Sequence, residues 1–493
     1  MAVTPRNCKI PRTSNGGGDD DDDRLSCLPE HIIHHIFSFL DTVNVVRASS
    51  VSRKWRYLFV SMPHLNFNLV TFWSLRRGEW SMQTLNEKFK DFVNWVLLSQ
   101  NWSVDIQRFY LIYWKIHDDN TIYRWMNVLV RQNVQQINLI LSPGISVTPL
   151  ALELPLCIVN CESLVDLKIR FNPYSVLKLP EFPGFTLLKS LNLSKAEFLD
   201  SMLLEKFVSS CPVLESLTMR NCNFRDFKIL DIAAPRLKNL IIDSLASAGE
   251  GLFNCEVIVA CPSLVSFKLL GTPSGLSFPS TNGLQNVFIF FNHEPEHRTV
   301  EEGHHLMDSI LRGICNIKVL KLSAAFLGFL LLTVAKPECS AAFYNLKSLT
   351  LLVSVDESDQ STIQLLNRSP NLEALSIIFT RLEDWGDNDM ALSATRPTWV
   401  ICGKSIPLTD SCKMPNEDIS CLTYHLKKVE LIDVACNKNE LELVKFLLNN
   451  GHVLQKMSIR GRRFENPDKI ISKVMMFPRS SPDVVLTFYE PAI

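Results

Sequence analysis

The chain is 493 residues long with a hydrophobic share of 46%, which excludes a largely disordered protein and predicts two or more compact units. Lys+Arg 50 against Asp+Glu 51 leaves a net charge of -1, so charge balance makes no case for nucleic acid as a partner. The 14 cysteines are scattered with no CxxC pair, against a zinc module, and with no apolar leader in view they point to reduced thiols in the cytosol or nucleus.

Residues 1–23 are rich in Gly, Asp and Ser and contain the unbroken run Asp19 to Asp23. Self-repulsion predicts a disordered acidic tail there, and the run lacks the spacing and loop glycine of an EF-hand. From Leu25 to Phe59 the pattern changes. Leu28, Ile32, Ile33, Ile36, Phe37 and Leu40 recur at helical spacing, and Pro29 suits a first helical turn. Asp41 or Thr42 can cap a second short helix through Val46, and Val51 and Trp55 fall one turn apart on a third. Three helices this short cannot bury so much apolar surface among themselves, so part of it is expected to meet a partner. The plainer alternative is a helical cap on the domain that follows.

The runs DRLSCLPEHII, HIFSFL and VSRKWRYL, in that order and spacing, resemble an F-box, the motif that docks a substrate adaptor onto the Skp-type linker of a cullin ubiquitin ligase. The resemblance covers residues 24–65. It implies Skp-subunit contacts from Leu28, Pro29, Ile32, Ile36, Leu40, Val46, Val51 and Trp55. Asp41 stands where the family often has Pro, and Ser50 takes a slot that is usually apolar.

After Met62-Pro63, HLNFNLVTFW reads as a first strand, and Leu85, Phe89, Phe92, Val93 and Val96 predict an amphipathic helix. The chain then becomes periodic. A unit of large apolar residues spaced three and then two apart runs from Ile106-Phe109-Leu111 through Leu164-Leu167-Ile169 and Leu237-Leu240-Ile242 to Leu454-Met457-Ile459. Thirteen copies occur, their starts 20 to 33 residues apart except for one gap of 54 between Leu372 and Leu426. This period is the signature of leucine-rich repeats, each supplying one strand and a return segment, with a core closed only by stacking. Residues 66–383 are assigned to such repeats. Cys211-Pro212, Cys261-Pro262 and Ser369-Pro370 each precede the opening Leu of a unit. Proline there ends a preceding helix, and cysteine serves as a small buried hydrophobe. LSAAFLGFLLLTVA from Leu322 is too short to span a membrane and reads as a buried repeat segment. The irregular stretch 384–416, with Trp399, reads as an insertion.

From Cys421-Leu422 through Leu426 to Leu431, a helix from Glu440 to Asn449, Val453 to Met457, and the close Phe477 to Pro482, residues 417–493 resemble the FBD domain that follows the repeats in a large plant family of F-box proteins. Asn450-Gly451 is the stop signal of that helix. The fold class is therefore α/β: an N-terminal three-helix F-box, then a leucine-rich-repeat solenoid, a horseshoe of parallel strands with helical return segments, capped by an FBD-like unit.

No Walker loop, GxSxG elbow or HExxH occurs, so an enzyme is the least favoured class, and no cofactor or metal is expected. The polar cluster His293, Glu294, Glu296, His297, Glu301, Glu302, His304 and His305 reads as a solvated loop between repeats. Arg460, Arg462 and Arg463 read as a surface turn after the last strand. On a strand, alternate side chains leave the core, and those between the apolar ones form the candidate target-binding face: Asp166, Lys168, Asn192, Thr218, Lys268, Phe288 and Lys321. Basic residues outnumber acidic ones on it. Taken together, these features predict a non-catalytic substrate adaptor of an SCF-type (Skp–cullin–F-box) ubiquitin ligase. Its partners are a Skp-type adaptor, a cullin and an unknown target protein, with no nucleic acid or membrane. Two readings stand beside it: an interaction scaffold whose F-box no longer recruits a ligase, and a small-molecule co-receptor.

Overall fold

The computed structural model describes residues 28–50, 53–75, 80–114, 119–142, 151–180, 185–224, 226–244, 252–291, 299–332, 342–354, 359–380, 419–435, 437–462 and 467–489. The acidic tail, Val51, the insertion 384–416 with Trp399, His293 to His297 and Arg463 lie outside the described residues.

Three short helices come first: α1 (Glu30–Ser38), α2 (Thr42–Ser49) and α3 (Arg53–Phe59). Pro29 is the N-cap of α1, one residue earlier than expected, and its carbonyl accepts from the N–H groups of Ile32 and Ile33. Asp41 caps α2, its carboxylate accepting from Asn44 N–H at 3.0 Å. A carboxylate there satisfies an orphan donor and favours the positive helix end, which the proline common in the family could not do. Thr42 is buried, and its hydroxyl accepts from Asn66 N–H at 2.8 Å, tying the helices to the strand that follows.

That strand is β1 (His64–Asn68), followed by α4 (Leu69–Ser74) and α5 (Met82–Ser99). Leu85, Phe89, Val93 and Val96 are buried along α5, as their spacing predicts. Phe59 of α3 stacks on Trp95 of α5 at 5.9 Å, and one hydrophobic core continues from Ile33 into the repeats.

The next elements are β2 (Arg108–Trp114), α6 (Asp119–Arg131), β3 (Gln136–Ser142), β4 (Ala151–Glu153), α7 (Leu156–Val159), β5 (Asp166–Lys178) and β6 (Ser190–Glu197). The middle holds α8 (Ser201–Ser209), β7 (Ser216–Arg220), β8 (Ile229–Ile232), β9 (Asn239–Asp243), β10 (Glu256–Val259), β11 (Ser266–Leu270), β12 (Gly275–Ser277) and β13 (Asn286–Phe290). Then come α9 (Val300–Ile314), β14 (Val319–Leu322), α10 (Ala324–Leu332), β15 (Ser348–Ser354), α11 (Asp359–Asn367) and β16 (Ala374–Thr380). The chain closes with α12 (Ser420–Tyr424), β17 (Lys428–Val434), α13 (Lys438–Asn450), β18 (Lys456–Gly461), α14 (Pro467–Met475) and β19 (Val485–Tyr489).

All thirteen periodic units are strands of a single 16-stranded parallel sheet, in the order β1-β2-β3-β5-β6-β7-β9-β11-β13-β14-β15-β16-β17-β18-β19, with β4 paired to β5. The second apolar residue of each unit stands in one row: Phe109, Ile137, Leu167, Leu191, Leu217, Leu240, Phe267 and onward to Val429 and Met457. The pattern and the register agree because a one-residue slip would turn every apolar side chain outward. β1 and β19 add a rung at each end. β16 and β17 are directly hydrogen-bonded, so the stack is continuous across the long interval between Leu372 and Leu426.

Three departures from the sequence reading have local causes. The returns are not all helical: β8, β10 and β12 form a second parallel sheet of their own, burying Leu230, Val257 and Leu276. Cys261-Pro262 accordingly follows a strand, whereas Cys211-Pro212 follows α8 and Ser369-Pro370 follows α11. Glu301, Glu302, His304 and His305 belong to α9 rather than a loop, because Thr299 and Glu302 close a capping box at its start. Arg460 lies within β18 over the Tyr489 ring, and a further strand follows it. Arg462 is buried, donating to the Phe379 carbonyl at 3.4 Å.

The apolar stretch at Leu322 forms β14 and α10, where Phe326, Leu327, Phe329 and Leu330 are buried; no described helix is long and apolar enough to cross a membrane. Cys211 and Cys261 are buried with their thiols on the carbonyls of Phe207 and Ile232, both at 3.2 Å. The C-terminal helix α13 opens on a capping box in which Asn437 accepts from Glu440 N–H at 2.7 Å. The buried Glu440 carboxylate accepts in turn from the N–H groups of Ala435 and Asn437. It stops at Gly451, where a Cβ would stand 2.7 Å from the Leu447 carbonyl oxygen.

Candidate functional site: two docking surfaces

The first surface is the outer face of α1 to α3. Helical spacing sorts α1 into two faces: Ile33 and Phe37 are fully buried, while Ile32, Ile36 and the capping residue Phe39, at i, i+4 and i+7, lie on the other side. Ile32 is 37% exposed and Phe39 75%; on α3, Tyr57 is 67% exposed. Leu28, Leu40 and Val46 are half-buried against the core, Ile36 is half-buried, and Pro29 is exposed.

Trp55 sits differently from the other residues of the predicted set. It is only 7% exposed, with its ring edge-on to Phe37 at 5.4 Å. Lys54 Nζ donates to the Leu28 carbonyl at 2.6 Å, and the His34 ring meets the Leu58 carbonyl at 3.3 Å. Lys54 and Trp55 therefore brace α1 from beneath, which leaves an apolar surface on the far side. Phe39 and Tyr57 were not among the residues singled out by sequence; for Phe39 the signal was present in its spacing from Ile32 and Ile36.

The second surface is the open face of the 16-stranded sheet. Parallel register places Lys168, Asn192 and Thr218 side by side on β5, β6 and β7, and Lys268, Phe288 and Lys321 side by side on β11, β13 and β14. Asp166 pairs with Lys168 at 3.3 Å. Thr218 is buried, unlike the exposed contact residue expected from alternation, and Lys268 Nζ lies 4.8 Å from the centre of the Phe288 ring. The same face continues one step further along the strands through Arg170, Ser194 and Arg220, which also stand in register. Period-two alternation carried past the third apolar residue identifies these positions.

Burial holds the Lys268 ammonium below the ordinary lysine range; Arg220 and Lys321 add to this and Asp243 opposes it. Burial and then Arg170 lower Lys195 in the same way, whereas burial raises the Tyr110 phenol. The face is thus a set of mutually repelling cations in register, suited to an anionic polar partner. Among the described residues, no three His, Cys, Asp or Glu side chains are grouped to hold a metal ion.

Comparison with known proteins matches three stretches of the chain. The F-box domain model matches residues 25–66, the repeat model described as FBD-associated F-box protein At5g56370, LRR repeats, matches 122–280, and the FBD model matches 415–459. The F-box/LRR-repeat protein At4g14103 of Arabidopsis thaliana is 30% identical over 366 residues, 72% of this chain and 91% of that protein. The putative FBD-associated F-box protein At5g56440 and the putative F-box/FBD/LRR-repeat protein At4g13965, from the same plant, are 26% and 24% identical. They cover 91% and 93% of this chain, and 94% and 95% of their own lengths.

Proposed function

The chain belongs to the F-box/FBD/LRR-repeat family, and from that membership we propose that it is a substrate-recognition adaptor of an SCF-type ubiquitin ligase. In this reading α1 to α3 dock on the Skp-type subunit, which joins the chain to a cullin, and the open face of the sheet holds a target protein. The chain contributes no bond-making group. Its work is to hold a target lysine near the ubiquitin carried by the ligase's catalytic parts, which raises the effective concentration of the two reactants. We place this action in the cytosol or nucleus.

The observation that carries the reading is the outward apolar face of Ile32, Ile36 and Phe39, braced from within by Trp55 and Lys54 and lying inside the residues that match the F-box. An apolar face of this kind on so small a helical unit is expected to be covered in use. Affinity purification of the tagged chain from plant cells with the proteasome blocked tests the proposal. Recovery of a Skp-type subunit and a cullin, lost in the Leu28→Ala/Ile36→Ala variant, is the expected outcome. Absence of both ligase components from the wild-type eluate would leave the scaffold reading instead.

A further inference from the structure

Between β5 and β14 the open face gathers Lys168, Arg170, Lys195, Arg220, Lys268 and Lys321. Arg170 and Arg220 are separated by one strand, β6, which at about 4.8 Å per strand puts their backbones about 10 Å apart. Counter-charge is sparse. Asp166 is taken by Lys168, and the buried Asp243 offsets only part of the effect of burial and neighbouring cations on Lys268. Among the described residues, none of Arg170, Lys195, Arg220, Lys268 and Lys321 has an ion pair.

Two of these cations are held in costly states. Arg220 Nε is buried and makes no hydrogen bond among the described residues, and a buried donor left unpaired is destabilising. Lys195 sits at a left-handed φ of 57°, beside the register shift in β5 and β6, with Nζ donating to Asn172 Oδ1 at 3.3 Å. A lysine in that backbone region is strained, and such strain collects at binding sites. Lys268 Nζ rests over the Phe288 ring, which places that ammonium before any ligand arrives. Like charges gathered on one face repel one another, and an anion laid between them would relieve that repulsion. Arginine's planar fork in particular matches carboxylate and phosphoryl oxygens.

We propose that Arg170, Lys195, Arg220, Lys268 and Lys321 form the recognition site for an acidic segment of the target protein, a run of carboxylates laid across β5 to β14, because cations spread over so many strands match a row of charges and not one phosphoryl group. This rests on the adaptor reading for the identity of the segment's owner; the anion site itself does not depend on ligase docking.

The test uses the full-length chain and three fluorescent peptide pools with the same randomised flanks, centred on phosphoserine, on Glu-Glu-Asp or on serine, with anisotropy as the readout. The Glu-Glu-Asp pool should bind at least about tenfold more tightly than the serine pool, the scale of one charge-assisted hydrogen bond. Arg220→Ala/Lys268→Ala should bring it down to the serine level. The control Lys238→Ala/Lys347→Ala, which removes the exposed cations paired with Glu215 and Glu373, should change nothing. Binding of both anionic pools above the serine pool also supports the proposal, whereas preference for the phosphoserine pool alone overturns it in favour of a phosphoryl site. Equal binding of all three pools, or equal loss in the control, overturns the proposal. Capture by a Skp-type subunit, measured on the same preparations, separates the two readings. Lost capture with anionic selectivity intact removes the adaptor role alone, and intact capture without selectivity removes the anion site alone.

Discussion

Phe39 offers the sharpest single perturbation. It follows α1 as its C-cap in the right-handed region; its N–H donates to the Ile36 carbonyl at 3.2 Å, and its ring is edge-on to His35 at 4.8 Å. Phe39→Ala keeps the backbone bond and removes a ring that is 75% exposed, so the fold loses little. Fully burying a Phe side chain is worth about 1.5–3 kcal/mol. With most of the ring still to be buried on docking, Phe39→Ala should cost about 1–2 kcal/mol, a loss of about 5-fold to 30-fold in affinity. Titration of the purified chain with a Skp-type subunit by calorimetry, paired with a thermal melt, reads both quantities. Trp55→Ala should give the opposite result, because the indole packs within the helical unit: about 3–5 kcal/mol of stability lost and a lowered Tm. An unchanged Kd for Phe39→Ala, or a Trp55→Ala variant that melts like wild type yet fails to bind, would refute the division of α1 to α3 into an outward docking face and an inward brace.

Other outcomes follow from the repeats and the C-terminal end. Gly451→Ala should destabilise the chain by about 1–3 kcal/mol in chemical denaturation, since the new Cβ meets the Leu447 carbonyl and backbone must shift. Asn437→Ala, which removes the N-cap of α13, should cost about 1 kcal/mol by the same assay. Burial pushes the thiols of Cys211 and Cys261 up to about 11 and those of Cys222, Cys255 and Cys421 up to about 12. They should resist alkylation in the native chain near neutral pH and react on unfolding. A folded pKa raised above the unfolded 9.0 means that the native state keeps its protons longer, so this contribution to stability is full below pH 9.0 and is lost as pH rises towards 11 and 12. Melting temperature should fall across that window, and a flat profile there would show the thiols to be solvated.

The repeats were legible because each one states its inward face twice, at the second and third apolar positions, and neighbouring strands must agree. Leu167 and Ile169 could only stand beside Leu191 and Leu193. The final rung escaped the pattern because Asp483 occupies the place of the opening apolar residue in β19; pairing with β18 decides that strand. β8, β10 and β12 are too short to show a period and are stabilised chiefly by one another. In the helical unit the sequence is apolar on both faces, so spacing alone could not tell that Trp55 turns inward. The cations Arg170 and Arg220 lie one alternation beyond the repeated motif, so a single repeat shows which face they take but not what stands beside them. Only stacking places them on the same patch as Lys268 and Lys321.

The adaptor account is tested most directly by a bridging experiment with purified components. Cullin immobilised with its Skp-type subunit should retain the full-length chain in a stoichiometric complex, cullin alone should not, and Ile32→Asp/Phe39→Asp should abolish retention while the melting temperature stays at the wild-type value. Failure of the wild-type chain to be retained, or retention undiminished by the paired aspartates, would contradict it.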